Sequence, residues 1–206
     1  KRGKRTKRSP EEWAQRDPDV RLMLRVREGD DDAFDELVER NTRKVHALIY
    51  HFLGNSDLAD DLCQEVFLRI YRTAERYVPA AKFSTWLYRI VANLVFNVMR
   101  SRKRRQMWQF GQIGDEDDDG PARSLPDERA ENPYDTIDDE ELRQHVAEAV
   151  AKLPENQRVA LVLHQYEHKS YDEIAEVLDC SLMAVKSLLS RARQGLRGSL
   201  NRYVKP

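Results

Sequence analysis

The sequence predicts an all-α protein: two small helical domains joined by a flexible acidic linker. Three observations carry this. Apolar residues recur at helical spacing in two separate stretches, and a segment rich in Pro, Gly and acids lies between them. Charged residues make up 34% of the chain and aromatics 8%, so the cores must be built mainly from Leu, Val, Ile and Ala. With 206 residues, each half is large enough to bury a modest core.

The first long helix starts at Asp30, Asp31 and Asp32, acids suited to capping a helix N-terminus, and Phe34, Leu37, Val38, Val45, Leu48, Ile49 and Phe52 follow on one face. Gly54 and Asn55 end it. Ser56 and Asp57 open a second helix, in which Leu58, Leu62, Cys63, Val66, Phe67 and Ile70 again mark a single face. Pro79 interrupts the chain before a third helix, expected to be capped by Ser84 and to run through Trp86 to about Arg104. Three amphipathic helices with short connections make a bundle. Residues 21–105 form this first domain, and residues 1–20 a basic N-terminal extension.

Residues 106–139 carry Gly111, Gly114, Gly120, Pro121, Pro126 and Pro133 and the acid run 115–119, without helical periodicity. They are expected to be a linker. In the second domain, residues 140–206, the stripe Leu142, Val146, Ala149, Val150 and Leu153 ends at Pro154, which suits the first turn of a helix carrying Val159, Val162, Leu163 and Tyr166. Ser170 and Glu173 then have capping-box spacing, and Asp179, Cys180 and Ser181 fit a tight turn. Val185, Leu188, Leu189, Ala192 and Leu196 define the buried side of a last helix. A short helix, a three-residue turn and a basic helix predict a helix-turn-helix.

The formal net charge is −1, yet the signs are sorted along the chain. Residues 76–114 contain no acid, residues 115–141 contain thirteen against Arg123 and Arg129, and no acid follows Asp179. Two basic surfaces flanking an acidic connector fit a polyanion touched in two places. Cys63 and Cys180 lie in apolar helical patterns, where a thiol is a small core residue, and no disulfide framework or CxxC site is present. Of the five histidines only His164 and His168 are spaced i, i+4, and no carboxylate or cysteine joins them, so neither a metal nor a cofactor is expected. No stretch approaches the roughly 20 apolar residues of a membrane span. The expectation is a soluble, cytoplasmic protein without membrane contact.

On the last helix Lys186, Ser187, Ser190, Arg191, Gln194 and Arg197 face away from the apolar stripe, with Arg193 at its border. The N-terminal part of such a helix enters the major groove, where Lys and Arg bond guanine and Ser bonds a base edge or a phosphate. Lys186, Ser187, Ser190 and Arg191 are the expected reading group, with Ser181 of the turn beside them. Arg193 and Arg197 are the expected phosphate contacts. The alternative, a merely solvated basic helix, sits less well with the capping box, the turn and the absence of acids.

The third helix has two useful faces. At about 100° per residue, Leu87, Ile90, Val91, Leu94 and Val98 form the buried stripe, while Trp86, Arg89, Asn93, Phe96, Asn97 and Arg100 fall on the other side. Rings, amides and guanidiniums on one surface suit single-stranded nucleic acid, and Arg102, Lys103, Arg104 and Arg105 extend the cationic track. Trp86 and Phe96 would equally well complete the core. The second helix offers Asp57, Asp60, Asp61, Gln64 and Glu65 near its start, a partner-binding face more simply than a metal or acid–base site.

These segments together resemble the extracytoplasmic-function sigma factors, the smallest class of the sigma-70 family. DLADDLCQEVFLRIYR (57–72) is similar to the family's polymerase-binding helix, and FSTWLYRIVANLVFNVMRSRKRR (83–105) to its promoter-melting helix. Residues 153–197 look like the domain that binds the minus-thirty-five element. The resemblance implies an alternative sigma factor, without catalytic activity, that directs core RNA polymerase to promoter DNA. It implies that residues 21–105 are sigma region 2 and residues 140–206 sigma region 4. It also implies that Asp60, Asp61, Gln64, Glu65, Leu68 and Arg69 dock on the beta-prime clamp coiled coil, while the second domain meets the beta flap. Asn93 would line a pocket for a flipped non-template base, with Tyr77 as its aromatic wall and Asn97 as a second amide. Extruding a base costs a few kcal/mol, so one pocket both melts and reads the minus-ten element. An anti-sigma factor is a further implied partner.

Two other readings stay open on the residues alone. One is a stand-alone helix-turn-helix regulator with the first half as a dimerisation module. The other is a metal-dependent nuclease using Asp57, Asp60, Asp61 and Glu65.

Overall fold

The structure, a computed structural model, describes residues 9–54, 56–112 and 140–200. Every regular element among the described residues is helical. α1 (Pro10–Arg16) and α2 (Pro18–Arg27) come first, so residues 10–20 of the supposed basic extension are folded. The signal is local: Ser9 and Glu12 form a capping box around Pro10, and the carboxylate of Asp17 caps α2. Val20, Leu22, Met23 and Val26 of α2 are buried, which makes this helix part of the first bundle rather than an appendage.

α3 (Asp31–Leu53) begins and ends as its sequence dictates. The Asp30 side chain accepts the Ala33 N–H at 3.0 Å, and Gly54 closes the helix in the left-handed conformation at φ 64°. α4 (Ser56–Thr73) packs along it, burying Leu62, Cys63, Val66, Phe67 and Ile70, and a 3-10 turn (Ala74–Arg76) leads to the loop before α5. α5 (Phe83–Gln112) starts two residues earlier than a Ser84 cap would place it. Ser84 is therefore not its cap but lies in its first turn; the Phe83 N–H is satisfied instead by the Asp17 carboxylate at 2.9 Å. At the other end the helix continues through residues 106–112, which the sequence assigned to the linker. Glycine at 111 makes that extension unfavourable by local propensity. Residues 113–139, the rest of the expected linker, lie outside the described residues.

The second domain comprises α6 (Glu140–Ala151), α7 (Glu155–Gln165), α8 (Tyr171–Leu178) and α9 (Leu182–Leu200). Pro154 stands just before α7 as its N-cap, and the Ser170–Glu173 capping box opens α8. Val159, Leu163, Ile174, Val185 and Leu189 are fully buried between these helices.

The two domains pack against each other, α3 and α5 meeting α7 and α8, and a single buried cluster runs through both. This alters α5. Besides the expected stripe, Tyr88, Ala92, Val95 and Met99 are buried at i, i+4, i+7 and i+11, while Ile90 and Val98 are only half-buried. A helix covered on two sides needs two stripes, and tertiary contact supplies the second.

Candidate nucleic-acid and polymerase interfaces

The helix-turn-helix is built by local chemistry. Asp179 ends α8 in the left-handed region at φ 50°, and the Cys180 N–H returns to the Ala175 carbonyl at 3.0 Å. Ser181 then caps α9: its hydroxyl oxygen accepts the Ala184 N–H at 3.1 Å. Ser181 therefore orients the helix and has only its hydroxyl proton to offer a phosphate. Val185, Leu189 and Ala192 are buried, with Leu188 and Leu196 half-buried, which turns Lys186, Ser187, Ser190, Arg191, Arg193 and Arg197 outward. All six are exposed and make no ion pair with a described residue. An acid-free helix with three arginines and a lysine unpaired has its charge available for a polyanion.

On α5, Arg89, Asn93, Asn97 and Arg100 are exposed along one side, and Lys103, Arg104 and Arg105 continue it, with Arg102 half-buried. Trp86 and Phe96 are half-buried, so each ring contributes to packing while keeping one edge at the surface. Tyr77 is placed differently from an exposed stacking ring. It is 4% exposed, its ring centroid 4.8 Å from that of Trp86, and the Phe83 ring stands 5.7 Å from Trp86. The Tyr77 hydroxyl has no hydrogen-bond partner among the described residues, and burial, helped by the Asp17 charge, pushes this phenol well above its usual range. The three rings form a packed wall at the start of α5. Asn93, Arg89 and Phe96 border a small cleft of about 200 Å³, whose other side is Val177, Leu178 and Asp179 of the second domain.

The α4 face brings together a third group. Asp60, Asp61, Gln64 and Leu68 are exposed, and Glu65 and Arg69 are half-buried and paired at 3.5 Å. Asp60 lies 3.1 Å from the His46 ring. Leu68 is 49% exposed and Tyr71 50%, apolar surface set among charges, as at the centre of a docking patch. Among the described residues no group of three or more His, Cys, Asp or Glu stands close enough to hold a metal ion, and Asp57, Asp60, Asp61 and Glu65 do not converge on one point. His164 bonds the Lys169 carbonyl at 3.2 Å and packs on Tyr171. Nor does any described helix have the length and apolar character to cross a membrane.

Sequence reasoning missed Lys44, Lys82, Tyr88, Glu167 and Lys169, which meet between the domains together with Glu173, foreseen only as half of the α8 capping box. Burial works against the Glu173 charge, but the Lys82 ammonium, the Ser170 N–H and hydroxyl and the Lys169 charge hold its carboxyl at about 2. No local periodicity marks such residues, because their partners lie 79 to 123 positions away.

Comparison with known proteins agrees with this geometry. The family profile Sigma-70 region 2 matches residues 37–105, and Sigma-70, region 4 matches residues 143–196. The chain is 32% identical over 182 residues to the ECF RNA polymerase sigma-E factor of Haemophilus influenzae, covering 88% of this chain and 95% of that protein. The sigma-E factor of Escherichia coli K12 is likewise 32% identical, over 184 residues, covering 89% and 95%. The fold is shared with the sigma factor RpoE of Bartonella quintana, solved with the anti-sigma factor NepR, at TM-score 0.62 and 23% identity over 82% of this chain and 96% of that one. It is also shared with CnrH, solved with the cytosolic domain of CnrY, at TM-score 0.62 and 24% identity over 88% and 96%. The exposed cationic α9, the amide-bearing face of α5 and the two matched regions, in this order, make the chain a member of the extracytoplasmic-function class of the sigma-70 family, an alternative sigma factor of transcription initiation.

Proposed function

We propose that this sigma factor divides its work among three faces. The α4 face, with Asp60, Asp61, Gln64, Glu65, Leu68 and Arg69, docks on core RNA polymerase at the beta-prime clamp coiled coil, and the second domain meets the beta flap. The α5 face captures the non-template strand of the minus-ten element: Asn93 and Asn97 bond an extruded base, Arg89, Arg100 and residues 102–105 hold the backbone, and the Tyr77–Trp86 wall supports the pocket. The α9 face reads the minus-thirty-five element through Lys186, Ser187, Ser190 and Arg191, with Ser181, Arg193 and Arg197 toward phosphates. Region 2 spans residues 21–105, an acidic linker residues 106–139 and region 4 residues 140–206; α1 and the last turns of α5 extend the folded part beyond those bounds. The chain has no catalytic activity of its own and acts in the cytoplasm, where polymerase and promoter are.

The observation that supports this best is the pairing of two acid-free cationic helical faces, α5 and α9, in one chain whose α4 presents Leu68 among charges. A stand-alone regulator needs no such α4 face, and the α4 carboxylates lack the convergence a nuclease needs. An anti-sigma partner is part of the proposal, since the sigma factor RpoE, which shares this fold, is solved with the anti-sigma factor NepR. Run-off transcription tests it: core polymerase plus the purified chain should yield discrete transcripts from a promoter library, and core alone should not. Tight operator binding without polymerase and no run-off would favour the regulator.

A further inference from the structure

Met23 and Met99 are core residues, 0% and 8% exposed, whereas Met183, in the first turn of α9, is 74% exposed, more than any other large apolar side chain among the described residues. A single exposed apolar residue is ordinary on a protein surface. What distinguishes Met183 is its place. The Ser181 hydroxyl oxygen accepts the Ala184 N–H at 3.1 Å, which fixes the first turn from which Met183 projects. At about 100° per residue, Met183 lies opposite the buried Val185, Leu189 and Ala192. It stands one turn before the exposed Lys186 and Ser187, with Ser190 farther along the same stripe. Leu182, 39% exposed, falls instead beside the buried side. Met183 is thus centred on the face assigned to base reading, at the end of the helix whose residues meet base edges in a helix-turn-helix.

The side chain limits what can be read there. A thioether has no donor and is only a weak acceptor, so it cannot tell bases apart by hydrogen bonds as Lys, Arg and Ser do. The apolar feature that a base presents in the major groove is the 5-methyl group of thymine. An unbranched, polarizable side chain can adjust its end to that group, and burying it there removes apolar surface of both partners from water.

We propose that Met183 is a specificity-determining residue for the minus-thirty-five element, packing its thioether end against the 5-methyl group of one thymine. The inference rests on the assignment of α9 to that element. Side chains one turn apart on a helix are about 5–6 Å apart at Cβ, and successive bases of a strand are about 3.4 Å apart along the DNA axis. The thymine therefore lies within about two base pairs of the pair that Lys186 or Ser187 meets.

The test uses holoenzyme reconstituted from core polymerase and the full chain, on a minus-thirty-five element selected from a randomised promoter library with the wild type. Each thymine of the element, on either strand, is replaced in turn by deoxyuridine, which removes the methyl group and leaves every hydrogen-bonding atom in place. One replacement should weaken wild-type binding about three- to fivefold in competition, the effect of one buried methyl group. Met183→Ala and Met183→Gln should bind the thymine and uracil promoters equally at that position, and Met183→Leu should restore the discrimination. A selected element without thymine, no uracil penalty in the wild type, or the same penalty in Met183→Ala would overturn the proposal. Arg191→Ala on the same promoters separates the two levels. Unchanged binding and base preference in Arg191→Ala and Met183→Ala alike would overturn the assignment of α9 to the element; loss of binding in Arg191→Ala with the uracil penalty intact in Met183→Ala would overturn only the role of Met183.

Discussion

Asp17 and Phe83, 66 positions apart, are joined by a single hydrogen bond: the Asp17 carboxylate accepts the Phe83 N–H at 2.9 Å, while its other oxygen accepts the Asp19 N–H at 3.0 Å. One side chain thus caps both α2 and α5, and fixes where α5 begins. Removing it leaves two helix-terminal N–H groups without their acceptor. Asp17→Ala should cost about 1–2 kcal/mol in urea unfolding, whereas Asp17→Asn, which keeps one acceptor oxygen, should cost under half of that. An Asp17→Ala midpoint equal to wild type would show that the cap is not used.

The two DNA faces should fail differently. Arg191→Ala removes a guanidinium proposed to meet a base edge and should weaken promoter binding by about 1–3 kcal/mol, relaxing sequence preference at one position. Arg197→Ala removes a proposed phosphate contact and should weaken all sequences alike, lowering the salt dependence of binding by about one ion. Competition binding with single-base promoter variants at two salt concentrations separates the two.

At the α4 face, Leu68→Ala should reduce affinity for core polymerase by about tenfold, because a 49% exposed leucine has little to lose in the free protein and its full contact to lose in a complex. Thermal stability should stay within about 0.5 kcal/mol of wild type. Equal loss of stability and affinity would place Leu68 in the fold instead.

Domain closure should weaken in mild acid. His51 stacks on Tyr166 with ring centroids 3.9 Å apart, beside Glu167 and the Arg158 guanidinium that bonds the Phe52 carbonyl. Burial lowers the imidazole from its ordinary 6.5, and Glu167 only partly opposes this. A folded pKa below the open-state value means the stack contributes fully above pH 6.5 and is lost as pH falls below it. The radius of gyration should rise between pH 7.5 and 5.5, and His51→Phe should flatten that change. An identical rise in the variant would assign it to other groups.

Much of this architecture was legible in residue order. The Ser170–Glu173 capping box, the Asp179 turn and the Val185–Leu189–Ala192 stripe are short-range patterns, and each forms as its spacing dictates. α1 was legible too, in the Ser9–Glu12 box, but seven residues without a buried side chain give no stripe to notice. The Asp17 cap on α5 and the second stripe of α5 were not legible, since both depend on contacts made far along the chain. For the same reason the burial of Tyr77 against Trp86 was not legible, since in sequence Tyr77 stands only as the aromatic wall of the pocket that the resemblance implies.

The division of labour between α5 and α9 is tested most directly by permanganate reactivity and DNase protection on one promoter, with reconstituted holoenzyme. Asn93→Ala with Asn97→Ala should keep upstream protection around the minus-thirty-five element and lose reactive thymines in the minus-ten region, while Arg191→Ala should lose protection first. If the double amide variant melted the promoter as the wild type does, α5 would not be the strand-opening helix.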